Sequence, residues 1–204
     1  MPVAAARGSH GTLDGDLKGA PFTTIYVGHE DDPERVWRPR LEAAGADLDK
    51  VFKLGIIASE EGAEFATAPN LASDLLLIRD AIEKTDAKLV IVDPLTSVTP
   101  GDLNKVETVR KVLDPLLALS QDLDIAIVGI MHFNKGAGRA SDKLSGSHAF
   151  RDAARSVLLF ATDDDSGRRV ITVDKSNYTQ SAGESFAFDL ESVAVHLDDG
   201  GTAE

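Results

Sequence analysis

Three stretches of this chain combine residue type and position in ways that could carry chemistry. In the first, the apolar run Leu89-Val90-Ile91-Val92 is followed directly by Asp93 and Pro94. That order puts a carboxylate at the tip of a buried strand, where it can hold a magnesium ion through water. Phosphoryl transfer needs such an ion, because the metal neutralises charge developing on the phosphates. A strand ending in Asp-Pro also serves as an ordinary turn. In the second stretch, Val27-Gly28-His29-Glu30-Asp31-Asp32-Pro33, Glu30 suits a general base that orients and deprotonates an attacking water. The same acids suit the start of a helix near Pro33, and capping falls most naturally to Asp31 or Asp32. The third runs from Gly129 to Lys135, where His132 follows an apolar segment. It could sense or bind a terminal phosphate, or serve the structure alone.

These residues matter together only if a fold aligns them, and the pattern predicts one that does. Thr23 to Val27 is β-branched and aromatic, as strands are. Pro33 opens a helix that runs to about Ala44 and ends near Gly45. Val51 to Ile57 is a second apolar strand. Asn70 to Lys84 carries Leu71, Leu75, Ile78 and Ile82 on one helical face. Leu89 to Val92 reads as a short buried parallel strand. Leu103, Val106, Leu113 and Leu117 mark a long helix, kinked near Pro115. Ile125 to Met131 is another apolar strand, and a helix from Leu144 to Ala154 comes next. The signature then changes to strands at Val157–Ala161, Val170–Asp174, Ser185–Leu190 and Val193–Leu197, joined by turns such as Asp163 to Gly167. A β-α-β-α-β-α-β run predicts an α/β parallel sheet flanked by helices, extended at its end by a hairpin or meander. Ligands of such sheets gather at the carboxyl ends of the strands, where Glu30, Asp93 and His132 fall.

Composition narrows the classes. The chain has 204 residues, enough for one domain with a substantial core, and its 43% hydrophobic and 27% charged residues are ordinary for a globular protein. No apolar run is long enough to cross a bilayer and no secretory leader opens the sequence, so a cytoplasmic location is expected. With no cysteine, disulfides and thiolate metal sites are excluded. The five histidines (10, 29, 132, 148 and 196) lack paired ligand spacing, which argues against zinc. No Gly-x-Ser-x-Gly elbow supports nucleophilic catalysis. A net charge of −13 argues against a protein that coats nucleic acid with its whole surface. From His132 to Arg155, however, five basic residues (Lys135, Arg139, Lys143, Arg151, Arg155) face only Asp142 and Asp152. That is either a solvated loop and helix or a local basic path.

The ordered set Tyr26 to Pro33, Arg40-Leu41-Glu42-Ala43-Ala44-Gly45-Ala46, Leu89 to Pro94 and His132 to Lys135 resembles the RecA-like P-loop ATPases of plasmid and phage replication. The closest resemblance is to hexameric replicative helicases of the RepA type and to ATPase domains joined to primase-polymerases, over about residues 20 to 190. The resemblance implies a RecA-like fold, ATP and Mg2+ as cofactors, single-stranded DNA as partner and a ring of subunits. It implies that Asp93 is the Walker B aspartate, Glu30 the catalytic glutamate and His132 the phosphate-sensing residue. Lys135, Arg139 and Lys143 would lie where such proteins contact single-stranded nucleic acid. Val173-Asp174-Lys175-Ser176-Asn177 resembles the late strand whose basic tip reaches a neighbouring subunit's nucleotide. Relatives often have Lys-x-Arg there, so Lys175 carries over, with Arg155 a second candidate.

One departure stands out. The family binds triphosphate with Gly-x-x-x-x-Gly-Lys-Ser/Thr, and nothing here matches it. Gly11 to Lys18 has glycines and a lysine at the wrong spacing. Residues 1–20, with Ala4 to Ala6 as the last turn of a helix, are therefore expected to be a remnant of the helix and loop beyond a missing phosphate-binding loop. Residues 21–204 are then the RecA-like core. Two other readings compete with an ATPase core of a helicase-like motor, itself expected to be inactive without that loop. One is a non-hydrolysing RecA-fold binding or assembly module that has lost nucleotide binding; the other is an unrelated doubly wound protein using Asp93 for other metal chemistry.

Overall fold

The structure of the chain is a computed structural model, which describes residues 1–13, 18–60, 63–132, 149–196 and 202–203. In chain order the elements are α1 (Pro2–Ser9), β1 (Thr23–Val27), a π-turn (Pro33–Trp37), α2 (Arg38–Ala43), β2 (Val51–Leu54), β3 (Ile56–Glu60), β4 (Ala63–Thr67), α3 (Leu75–Thr85), β5 (Ala87–Val92), α4 (Val106–Asp122), β6 (Ala126–Gly129), α5 (Ala149–Ala153), β7 (Ser156–Thr162), β8 (Arg169–Ser176), β9 (Ser185–Phe188), β10 (Val195–His196) and β11 (Thr202–Ala203). Residues 1–101, 114–131 and 193–204 form one compact unit, and 102–113 with 132–192 a second.

The first unit is built on a four-stranded sheet in the order β2-β1-β5-β6, parallel at every pairing. This is the parallel α/β sheet that the strand–helix alternation predicts, and it agrees with the RecA-like fold that the resemblance implies. In β1 and β5, side chains alternate between two faces with period two. Thr24 pairs with Leu89 and Tyr26 with Ile91, which puts Tyr26, Leu89 and Ile91 on one face. That face packs with Phe22 and with Ala4 of α1, and Val128 and Ile130 continue it. The other face carries Ile25, Val27, Val90 and Val92, all at most 2% exposed. Burying both faces explains why Leu89 to Val92 reads as an unbroken apolar run.

Helix α1 lies close on this sheet. A Cβ at Gly8 would come within 2.6 Å of the Phe22 ring, so only glycine permits the approach. The helix end is tied down as well: the Asp47 N–H donates to Ser9 Oγ at 3.0 Å, and His10 Nε2 lies 2.8 Å from the Gly45 carbonyl. Helix α3 packs on β5, with Ile78 and Ile82 buried.

Several boundaries differ from the sequence expectation. The apolar run from Val51 breaks at Gly55: β2 joins the parallel sheet, while β3 pairs antiparallel with β4 as a separate hairpin. The helix expected from Asn70 begins at Leu75. Residues 70–74 instead form a turn in which Asn70 Oδ1 accepts from the Ala72 and Ser73 amides, and Asp74 Oδ2 from the Asn70 amide. Asparagine so placed competes with helix by bonding its own backbone. Helix α4 starts at Val106, later than expected, and continues through Pro115 to Asp122. The strand expected at 193–197 begins at Val195, with residue 197 outside the described residues, and this β10 pairs antiparallel with β11. Residues 144–148 of the expected helix before Ala154 lie outside the described residues; α5 covers Ala149–Ala153.

In the second unit β7, β8 and β9 form an antiparallel meander, as the change of pattern after Ala154 predicts. Its first turn is held by Asp163, whose Oδ1 accepts from the Asp165 and Ser166 amides at 2.9 Å. Among the described residues, no helix is long and apolar enough to cross a membrane.

Ile91 is 1% exposed at the centre of the parallel sheet. Ile91→Ala is expected to cost about 2–5 kcal/mol through lost burial and the cavity left behind. Urea denaturation monitored by circular dichroism checks this, with the midpoint falling while the slope stays constant.

Candidate functional site

The site begins as a continuation of strand pairing. Val27 stands opposite Val92 in the β1–β5 ladder, and the Asp93 N–H adds the next rung by donating to the Val27 carbonyl at 2.9 Å. On the other side of β5, the Ile130 N–H donates to the Val92 carbonyl at 2.8 Å. The strands leading to Gly28, Asp93 and Met131 therefore end side by side, as the alternation of elements predicts. The backbones at the end of β1 and β5 are so close that a Cβ at Gly28 would overlap the Asp93 carbonyl oxygen. Glycine is required there. Asp93 precedes Pro94 through a cis peptide bond.

Beyond Gly28 the chain turns, and a carboxylate oxygen of Glu30 lies within 4.8 Å of one from Asp93. Glu30 is exposed and Asp93 half-buried. The competing use of these acids as helix caps resolves onto other residues. Asp32 is the N-cap, its Oδ1 accepting from the Glu34 and Arg35 amides at 2.9 and 2.8 Å. Asp31 pairs with Arg40 at 3.2 Å. The helix start is satisfied without Glu30.

Asp93 is gripped by a residue that the motifs alone do not single out. The Tyr26 hydroxyl donates to Asp93 Oδ2. Burial pushes the Tyr26 phenol well above its ordinary range, and the hydrogen bond to Asp93 and the charge of Asp93 push it further. Its ring packs against Trp37, over which Lys53 Nζ sits 5.4 Å from the ring centre. Trp37 arrives there through the π-turn, in which the Trp37 N–H bonds back five residues to the Asp32 carbonyl. Pro39 supplies the cause: it has no N–H to continue the four-residue ladder, so the chain enters α2 over-wide. Tyr26, Trp37, Thr24, Ile91 and Asp93 line a cavity of about 60 Å³. Thr24 Oγ1 and Trp37 Nε1 are buried there without a hydrogen-bond partner among the described residues. The register explains why sequence reasoning missed Tyr26: only its pairing with Ile91 puts it on the face of Asp93, two residues on.

The other sequence candidates fall in the second unit. His132 is exposed and is the first residue of that unit after Met131. Lys175 donates through Nζ to the Arg151 and Asp152 carbonyls at 3.0 and 2.9 Å, at the end of α5. Arg151 in turn pairs with Asp174 at 2.6 Å. Arg155 is exposed, and its carbonyl accepts from the Asn177 N–H at 2.9 Å. Lys135, Arg139 and Lys143 lie outside the described residues.

Compared with known families, the chain matches the AAA domain over residues 2–138. The chain belongs to the AAA domain family. No curated protein matches it. Membership makes this AAA domain a P-loop ATPase-type, nucleotide-binding module, of a family that typically uses ATP and Mg2+. The residues fit the metal half of that pair. Two carboxylates within 4.8 Å at the carboxyl end of a parallel sheet are a hard oxygen donor set, suited to magnesium held partly through water. Asp93 would hold the ion through water with Glu30 beside it, and the ion would neutralise charge on a bound triphosphate. The phosphate half is different, because the 204 residues contain no Gly-x-x-x-x-Gly-Lys-Ser/Thr.

The raised phenol has a measurable consequence. A group protonated more tightly in the folded state lends stability that is complete below its unfolded value, near 10 for tyrosine, and is lost as pH rises above it. The denaturation midpoint of this AAA domain should fall as pH climbs from 10. Tyr26→Phe should remove part of that dependence, which chemical denaturation at pH 8 and pH 11 would measure. Equal pH dependence in both proteins would assign the loss to other groups.

Proposed function

We propose that this AAA domain is the ATPase core of a helicase-like nucleic-acid motor acting in plasmid or phage DNA replication. Asp93 holds Mg2+ through water, Glu30 orients and deprotonates the attacking water, and His132 senses the terminal phosphate. The observation that supports this most is the pair of carboxylates at the ends of adjacent parallel strands, in a chain of the AAA domain family. General-base and metal roles both need a carboxylate near the same reacting phosphate, and one strand pairing supplies both here. In this reading the subunits form a ring in which Lys175 or Arg155 reaches the neighbouring nucleotide. Lys135, Arg139 and Lys143 line its channel and meet single-stranded DNA.

A second reading has its own observation. That reading is a non-hydrolysing RecA-fold module that has lost nucleotide binding, and the observation beside it is that these 204 residues carry no Gly-x-x-x-x-Gly-Lys-Ser/Thr, the backbone nest and lysine on which phosphate binding in such folds depends. Phosphate release from Mg-ATP, with and without single-stranded DNA, separates the two. With a phosphate-binding loop added to the chain, the motor reading expects release that falls at least tenfold in Glu30→Gln and in Asp93→Asn. Absence of both nucleotide binding and release favours the module, and release unchanged in both variants places the chemistry elsewhere.

The nucleic-acid half is tested by fluorescence anisotropy of a labelled single strand across a salt series. Replacing Lys135, Arg139 and Lys143 together by alanine should weaken binding and flatten the log–log salt slope by about 2, since each lost phosphate contact is worth roughly 0.7 on a single strand. Thermal stability is expected to change little. Identical salt slopes would remove this segment from the interface.

A further inference from the structure

Backbone pairing places Asp93, but it does not aim its carboxylate. The terminal torsion of an aspartate joins tetrahedral to planar carbon and is soft, so a carboxylate at a strand end turns freely unless something holds it. In this chain the Tyr26 hydroxyl donates to Oδ2 of Asp93. Tyr26 is itself over-determined: its backbone sits in the β1–β5 ladder opposite Ile91, and its ring packs against buried Trp37. The Asp32 cap and the π-turn in turn fix Trp37. A rigid donor therefore takes up one oxygen of Asp93, while a carboxylate oxygen of Asp93 lies within 4.8 Å of one from Glu30.

We propose that Tyr26 is a positioning residue for a divalent cation at Asp93, acting through its hydroxyl and not through contact with the ion. The proposal rests on the reading of Asp93 as a metal-holding carboxylate. Partners that orient a ligand in this way typically change metal affinity by tenfold or more when removed. Tyr26 supplies the orientation at no added entropy, since the fold already holds its ring.

Mn2+, whose binding to the full chain is read directly by electron paramagnetic resonance, is the probe. Tyr26→Phe keeps the ring and deletes the donor; it should raise the Mn2+ dissociation constant about tenfold. Asp93→Asn should abolish the site, and Tyr26→Phe in the Asp93→Asn background should change nothing further. A purely structural tyrosine would not give that dependence on Asp93. Trp37→Phe, which keeps the hydroxyl, should hold affinity within about twofold, with circular dichroism confirming the fold of every variant. Loss of Mn2+ binding in Asp93→Asn with wild-type affinity in Tyr26→Phe overturns the role of Tyr26 and leaves the metal reading standing. An equal loss in Trp37→Phe and Tyr26→Phe assigns the effect to ring packing and also overturns it. Wild-type affinity in Asp93→Asn overturns the metal reading, and the role of Tyr26 with it.

Discussion

The parallel pairing of β1 with β5 is the constraint on which the rest depends. It runs from Thr23 to Val27 and is carried one rung past the strand by the Asp93 amide and the Val27 carbonyl. That last rung has three consequences at once. It puts the Asp93 carboxylate at the sheet edge, it forces residue 28 to be glycine, and it leaves the chain after Gly28 to turn over the end of β5 with Glu30. Slip the register by one residue and every side chain on β1 changes face. Tyr26 would leave Asp93, and Ile25 would meet the α1 side. The buried faces on both sides therefore specify the site as firmly as they specify the core.

Around that pairing, a chain of short-range causes delivers the aromatic support. Asp32 accepts two amides and starts the π-turn, while Pro39 denies the ladder a donor and keeps the turn wide. The outcome is a tryptophan on the tyrosine that grips the aspartate. Each step is local, and together they link residues 26 to 40 with residue 93. The ion pair of Asp31 with Arg40 is exposed and adds little energy of its own. Its effect is to engage Asp31 with α2, so that the acid paired with Asp93 is Glu30.

The legible part of this structure was the part governed by burial. β5 stood out because a strand covered on both faces carries an apolar run, Leu89 to Val92, and β1 because it is β-branched and aromatic; their carboxyl ends named Glu30 and Asp93 without coordinates. The β3–β4 hairpin was hidden because Ile56 and Ile57 prolong the apolar run of β2, with only Gly55 marking the break. The turn at Asn70 was hidden for the converse reason: Leu71 keeps helical spacing with Leu75 and Ile78, while the asparagine side chain claims the backbone. Tyr26 was hidden because an aromatic inside a strand reads as core. Only the pairing register, which links residues 67 apart in sequence, shows that its hydroxyl has an ionic partner.

The two carboxylates raise the question of what keeps like charges together. At 4.8 Å, with Glu30 exposed, their repulsion in a water-like medium is about 1 kcal/mol. That is small beside the burial of Ile25, Val27, Ile91 and Val92, each worth roughly 1.5–3 kcal/mol. The hydrophobic sheet can therefore hold the pair without help from a cation, and the Tyr26 donor relieves part of the charge on Asp93 within the protein. Causation then runs in one direction, from apolar pairing to carboxylate placement. A site ordered this way would keep its donors in place ahead of any ion, so that less of a binding free energy would go into organising them. The same ordering explains why a soft torsion on one aspartate is worth restraining, since it is the last freedom that the sheet itself leaves at the site.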